Sequence, residues 1–156
     1  MNNIIEIELN NKNDYKNKFN NNRISEELNT YISNEVKALN LDDKITLEID
    51  NKIKLNENEQ KELVKMIKLS YKEDLDELKI YERRLNNQSL LLLGIGIMIL
   101  LAYYFAINIL FVSEFTLIIG WLFIWEAGDL FLFTRRENKM KQERRKQIIH
   151  SKILFK

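Results

Sequence analysis

LLLLGIGIMILLAYYFAINILFV, residues 90–112, is the stretch on which the reading of this chain turns. It lies inside a run from Leu85 to Ser113 that has no charged residue. At roughly 1.5 Å of rise per residue, about 20 apolar residues cross a hydrocarbon core of roughly 30 Å. A helix apolar on all sides for six turns needs a large soluble fold to enclose it, and a chain of 156 residues, 30% of them charged, offers little cover. The stretch therefore reads as a transmembrane span.

A second run, FTLIIGWLFIWEAGDLFLFT, occupies residues 115–134 and closes on Arg135 and Arg136. Only Ser113 and Glu114 separate it from the first, so the two spans are expected to form an antiparallel helical hairpin turning at those residues. Glu126 and Asp129 weaken the hydropathy of the second run, which leaves a re-entrant or interfacial segment as the alternative.

Charge divides the chain into three parts. Residues 1–88 carry a net −3, residues 89–134 carry three acids and no base, and residues 135–156 carry a net +7, hidden within an overall +1. The basic tail places the C-terminus in the cytoplasm by the positive-inside rule, and two crossings place the N-terminus there too. Met1 opens a polar, asparagine-rich segment with no signal-peptide pattern.

The fold class expected is an α+β cytosolic module (strand-helix-strand-helix), then the hairpin, then a basic C-terminal helix. Ile5, Ile7 and Leu9 alternate, as do Ile45, Leu47 and Ile49, so both segments read as half-buried strands. Ser25 before Glu26 and Glu27 starts an amphipathic helix over residues 26–39. Residues 10–23 read as a polar loop with Tyr15 and Phe19 as tethers. Asn56 and Glu59 resemble a capping box opening a helix that runs into the first span. The expected domains are 1–72 for the module, 73–88 for a helical stalk, 89–134 for the hairpin (spans about 90–112 and 115–134) and 135–156 for the tail. Leu75, Leu78, Tyr81 and Leu85 would form a short coiled-coil seam in the stalk. Two strands leave exposed edges and little core, so the module is expected to lean on the following helix, on a second copy or on a partner.

These elements, with Glu27–Ile32 (Glu-Leu-x-x-Tyr-Ile), Gly120–Ala127 (Gly-Trp-x-x-Ile-Trp-Glu-Ala) and the Arg-Arg-Glu exit at Arg135–Glu137, resemble a group of uncharacterised small bacterial two-span membrane proteins. The resemblance implies an architecture with an N-terminal cytosolic α/β module and a place in the bacterial cytoplasmic (inner) membrane. It implies no activity and no catalytic residue.

Several residues stand out as candidates. Glu126 lies about 16 Å along the second span from Phe115, near the midplane, with Asp129 one turn on. Ionisable groups at such depth face protein or a wet cavity. With the turn at 113–114, Glu126 would stand level with Leu101, uncharged and hydrogen-bonded to Tyr103, Tyr104 or a helix from another copy. Asn108 completes the intramembrane polar set. Gly94, Gly96, Gly120 and Gly128 permit close helix approach, and Trp125 is deep enough to pack against another helix, with Trp121 on the same stripe. Arg135, Arg136, Lys139, Lys141, Arg144, Arg145 and Lys146 form a basic juxtamembrane helix suited to anionic lipid headgroups. His150 reads as a solvated side chain.

Composition excludes much chemistry. The sequence has no cysteine and one histidine, which removes disulfides, thiol nucleophiles, thiolate zinc sites and most histidine dyads. It contains no P-loop, no GxSxG and no HExxH. The expectation is an integral membrane interaction or regulatory module that oligomerises or binds a protein partner, not an enzyme, with no cofactor, no metal and no nucleic acid. The rival is an oligomeric ion-conducting or membrane-permeabilising assembly using Glu126 and Asp129.

Overall fold

A computed structural model describes residues 2–20, 22–106 and 110–156. It is a mixed α and β structure with three strands near the ends of the chain and two long apolar helices between them. Contacts divide it into two compact units, one of residues 1–77 with 141–156, the other of residues 78–140.

The first unit begins with β1 (Asn2–Glu8). A 3-10 turn at Lys12–Asp14 follows, held by a capping box between Asn11 and Asp14. The loop folds back so that Tyr15 is buried, while Phe19 is 97% exposed and tethers nothing. Helix α1 (Glu26–Lys37) is capped by Ser25, whose hydroxyl accepts from the Leu28 amide, and it buries Leu28, Ile32 and Val36. Strand β2 (Lys44–Asp50) then lies parallel to β1, with Ile5 opposite Leu47 and Ile7 opposite Ile49. Helix α2 (Glu57–Ala106) opens on the expected box: Glu59 N–H donates to Asn56 Oδ1 at 2.9 Å and Asn56 N–H to Glu59 Oε2 at 3.0 Å.

The tail departs from expectation. Helix α4 (Arg135–Ile149) ends at the boundary of the core with Ile148 fully buried, and β3 (Lys152–Phe155) joins the sheet beside β2. Its register places Ile153 opposite Leu47 and Phe155 opposite Ile49, and the order is β1-β2-β3, all parallel. The module therefore has three strands and takes residues 141–156 from the expected tail. The added strand covers the β2 edge that a two-strand reading left bare, so the core of Ile5, Ile7, Leu9, Ile45, Leu47 and Ile49 is completed by the far end of the chain. The expected stalk is no separate element, because residues 73–88 are interior turns of α2. Along it Leu75 and Leu85 are buried and Tyr81 is half exposed, which breaks the proposed seam.

In the second unit, α2 ends at Ala106 and α3 (Leu110–Asp129) follows, then a π-helical stretch (Leu130–Thr134) leads into α4. Ser113 and Glu114, the expected turn, lie inside α3. Two helical segments, Glu57–Tyr104 and Glu114–Ile149, are long and apolar enough to cross a membrane. Their large side chains point outward: Leu90, Met98, Ile118, Trp121 and Trp125 are all exposed.

Candidate functional site

The hairpin is held by glycine. A Cβ at Gly96 would lie 3.1 Å from the carbonyl oxygen of Gly120 and 3.2 Å from the amide nitrogen of Ile124, both backbone atoms. A Cβ at Gly120 would meet Leu100 Cδ2 at 2.8 Å. Gly94 and Gly128 have open space where a Cβ would stand, so of the glycines singled out in the sequence, Gly96 and Gly120 bring the helices together and Gly94 and Gly128 do not. Nearer the charged end, Ser89 Oγ donates to the Ala127 carbonyl at 2.9 Å, with both residues buried. Below that, Arg135 Nε meets Glu82 Oε1 at 3.3 Å, its guanidinium over the Phe131 ring, and Asn138 Nδ2 donates to the Leu78 carbonyl at 3.0 Å.

These pairs step down both helices together. With Ala127 opposite Ser89, Glu126 falls level with Leu90 rather than Leu101. Glu126 is exposed on α3 and bonds neither Tyr103 nor Tyr104, contrary to expectation, because α3 starts at Leu110 and slides the level of every residue after it. Asp129 is likewise exposed, and Asn108 lies outside the described residues. Trp121 and Trp125 are 63% and 68% exposed, so neither packs against α2.

The seven bases do not act as one group. Arg136, Lys139 and Lys141 are exposed. Lys146 pairs with Glu143 at 2.7 Å, and Arg144 reaches the Lys37 carbonyl at 3.4 Å. Arg145 is committed to the module: it donates to Ser33 Oγ at 2.8 Å, pairs with Asp74 at 3.3 Å and lies over the Tyr71 ring at 5.2 Å from its centroid. Tyr71 is fully buried and its hydroxyl donates to the Asn29 carbonyl at 3.0 Å. Burial pushes the Tyr71 phenol up to about 12, against the opposing pull of Ser33 and Arg145. Burial also raises the Asp74 carboxyl above its ordinary value, a rise that Arg145 opposes. His150 is exposed, with Nδ1 at 2.8 Å from the Lys146 carbonyl.

In the sequence the Arg145 cluster is masked by the many bases of α4. Asn138, Gln142, Arg145 and Ile148 recur at 3–4 spacing, the stripe of an inward helix face, and three of them are buried.

The sheet offers a further surface. Alternation buries Ile5 and Ile7 of β1 with Ile45, Leu47 and Ile49 of β2, and turns Ile4, Glu6 and Glu8 of β1 outward with Thr46, Glu48 and Asp50 of β2. Strand β1 is one of the two edge strands, and beside it Glu6, Glu8, Asp14, Glu27, Leu28 and Tyr31 border a groove of about 490 Å³. Tyr31 OH donates to the Glu6 carbonyl at 2.8 Å across that edge. Together these groups present a backbone edge, an acidic rim and exposed cations.

Compared with known proteins, the chain matches no family model, no curated protein and no solved structure.

Proposed function

We propose that this chain is an integral protein of the bacterial cytoplasmic membrane whose α/β module binds a protein partner, or a second copy, at the membrane surface. The observation that carries the reading is the place of the hairpin in the chain. It is inserted between β2 and β3 of one sheet, so both flanks of the apolar region belong to the same module, which supports an even number of crossings. That supports cytoplasmic placement of both ends, with the exposed cations of α4 facing anionic headgroups. The outward apolar side chains of the hairpin suit lipid, as an inverted version of a soluble surface.

Partner binding is supported by the sheet. All-parallel sheets are normally covered on both faces, and here one face and the β1 edge carry exposed side chains. A photocrosslinking residue placed at Ile4 or Glu6 is expected to yield a discrete adduct in cells. The same residue at Glu57, outside that surface, should not. Reporters joined before Met1 and after Lys156 are both expected to read cytoplasmic. A far-side C-terminus, or adducts independent of position, would reject the proposal.

The exposure of Glu126 and Asp129 on α3 favours one second reading, an ion-conducting assembly in which these acids line a path between hairpins. Purified protein in liposomes should then carry ions, and Glu126→Gln should change the flux. No flux with either protein ends that reading.

A further inference from the structure

Among the described residues, the outer edge of β1 has no strand beside it. Leu9 N–H donates to the Asp50 carbonyl at 3.4 Å, and successive residues of a strand turn their backbone groups to opposite sides. Ile4, Glu6 and Glu8 therefore present theirs away from β2, and the Tyr31 hydroxyl takes one of them, the Glu6 carbonyl. The strand reads NNIIEIE, with neither lysine nor proline, the residues that commonly blunt such an edge.

The charges around this edge are mostly acidic. Glu6, Glu8, Asp14 and Glu27 border its groove, and no base does. On α1, Glu27, Tyr31 and Glu35 stand on one stripe at i, i+4 and i+8, and Lys37, the only base of that helix, lies off it. Asp14 accepts the Asn10 and Asn11 amides, and Lys52 meets Glu8 at 2.8 Å and Asp50 at 3.7 Å. Glu6, Glu27 and Glu35 are exposed and have no ion pair among the described residues. The other bases of this region belong elsewhere. Lys12 pairs with Glu59, Lys156 pairs with Glu48, and Lys16 lies by the Tyr15 ring. Lys44 stands opposite Asn2 at the start of β1, and Lys152 is two strands away. Burial first, then the carboxylates of Glu35 and Glu6, raise the Tyr31 phenol above its ordinary value, and no cation opposes them.

We propose that β1 accepts an extended basic segment of a partner protein as a fourth strand, its lysine or arginine side chains meeting Glu6 and Glu8 on the open face, with Glu27 beside the groove. The inference rests on the partner reading above and deepens it by naming the partner's chemistry and its seat. Main-chain pairing holds such a segment, and its side chains at alternate positions select it. Charge favours this occupant over two others. A second copy joined edge to edge brings Glu6 and Glu8 against the same residues, and like charges directly opposite repel. An anionic lipid surface meets the same repulsion. Tyr31 shields the Glu6 carbonyl in the free chain and yields it as the strand docks.

The probe is a fluorescent octapeptide alternating valine and lysine, and its binding to the full chain in a neutral detergent is read by fluorescence anisotropy. Its counterpart alternating valine and glutamate should not bind. Methylating the backbone nitrogens along one edge of the lysine peptide keeps its charge and removes its main-chain donors, and should weaken binding by about tenfold. Glu6→Gln together with Glu27→Gln, both at exposed positions, should weaken it by about tenfold. Tyr31→Phe frees the Glu6 carbonyl and should tighten it by about threefold. Equal binding of the methylated peptide would mean that the lysines are attracted without strand pairing, and the inference would fall. It falls as well if Tyr31→Phe binds no tighter, if the glutamine variant binds as wild type does, or if the two peptides bind alike or not at all. In each of these cases an adduct at Ile4 or Glu6 in cells still upholds the partner reading, and only the absence of that adduct ends both.

Discussion

Arg145 stacks on Tyr71 with its guanidinium carbon 5.2 Å from the ring centroid, which ties α4 to α2 within the α/β module. The same guanidinium bonds Ser33 of α1 and pairs with Asp74, so one side chain joins three helices. This is a base that a charge count would assign to lipid, and the fold spends it on the protein.

Arg145→Ala is therefore expected to destabilise the module by about 2–3 kcal/mol, through loss of the stacking and of charge-assisted hydrogen bonds. Arg145→Lys should recover only part, because an ammonium lacks the planar fork. Urea unfolding of the full chain in detergent, followed by circular dichroism, measures both. A lysine variant as stable as wild type would show that only the charge matters.

A chain joining residues 1–77 to 141–156 through a short Gly/Ser linker should be soluble, monodisperse and cooperative in unfolding. Asp74 and Arg145 are already in contact, so the ends to be joined lie close. Residues 1–77 alone should aggregate or unfold, since they lack β3 and Ile148 and leave β2 as a bare apolar edge. Size-exclusion chromatography separates the two outcomes, and a stable monomer of 1–77 would refute the role given to β3.

The glycines should divide sharply. Gly96→Val drives side-chain atoms into the Gly120 and Ile124 backbone and should cost about 1–3 kcal/mol of hairpin stability. Gly94→Ala and Gly128→Ala meet nothing and should be neutral or gain up to about 1 kcal/mol from helix propensity. Thermal unfolding in detergent distinguishes them. Equal effects at all three positions would contradict the packing described.

Tyr71 should make the module sensitive to alkali. Its folded value of about 12 stands above the ordinary 10.0, so its contribution to stability is complete below pH 10 and is lost as pH rises toward 12. Asp74, also raised, works in the same sense at acid pH. Its contribution is complete below the ordinary 3.8 and declines as pH rises through its folded value. Tyr71→Phe should flatten the alkaline limb and Asp74→Asn the acid one. Denaturant midpoints measured across pH test each. An alkaline limb unchanged in Tyr71→Phe would assign the effect to another tyrosine.

Much of the fold was written locally. Ser25 and the Asn56–Glu59 box announce helix starts through side chains that reach amides three residues on. Alternating isoleucines declare β1 and β2, and an uncharged run of spanning length declares the apolar helices, because each pattern is complete within its own segment.

The tertiary structure decided what no segment carries by itself. Lys152–Phe155 is four residues long and shows no periodicity, and it is a strand only because β2 supplies an edge for it. Arg145 reads as one base among seven until Tyr71, Ser33 and Asp74 surround it. The levels of Glu126 and the four glycines depend on where the chain reverses, and a shift of a few residues there moves every facing pair. Composition and periodicity report the environment a residue seeks, and sequence-distant pairing determines which neighbour meets it.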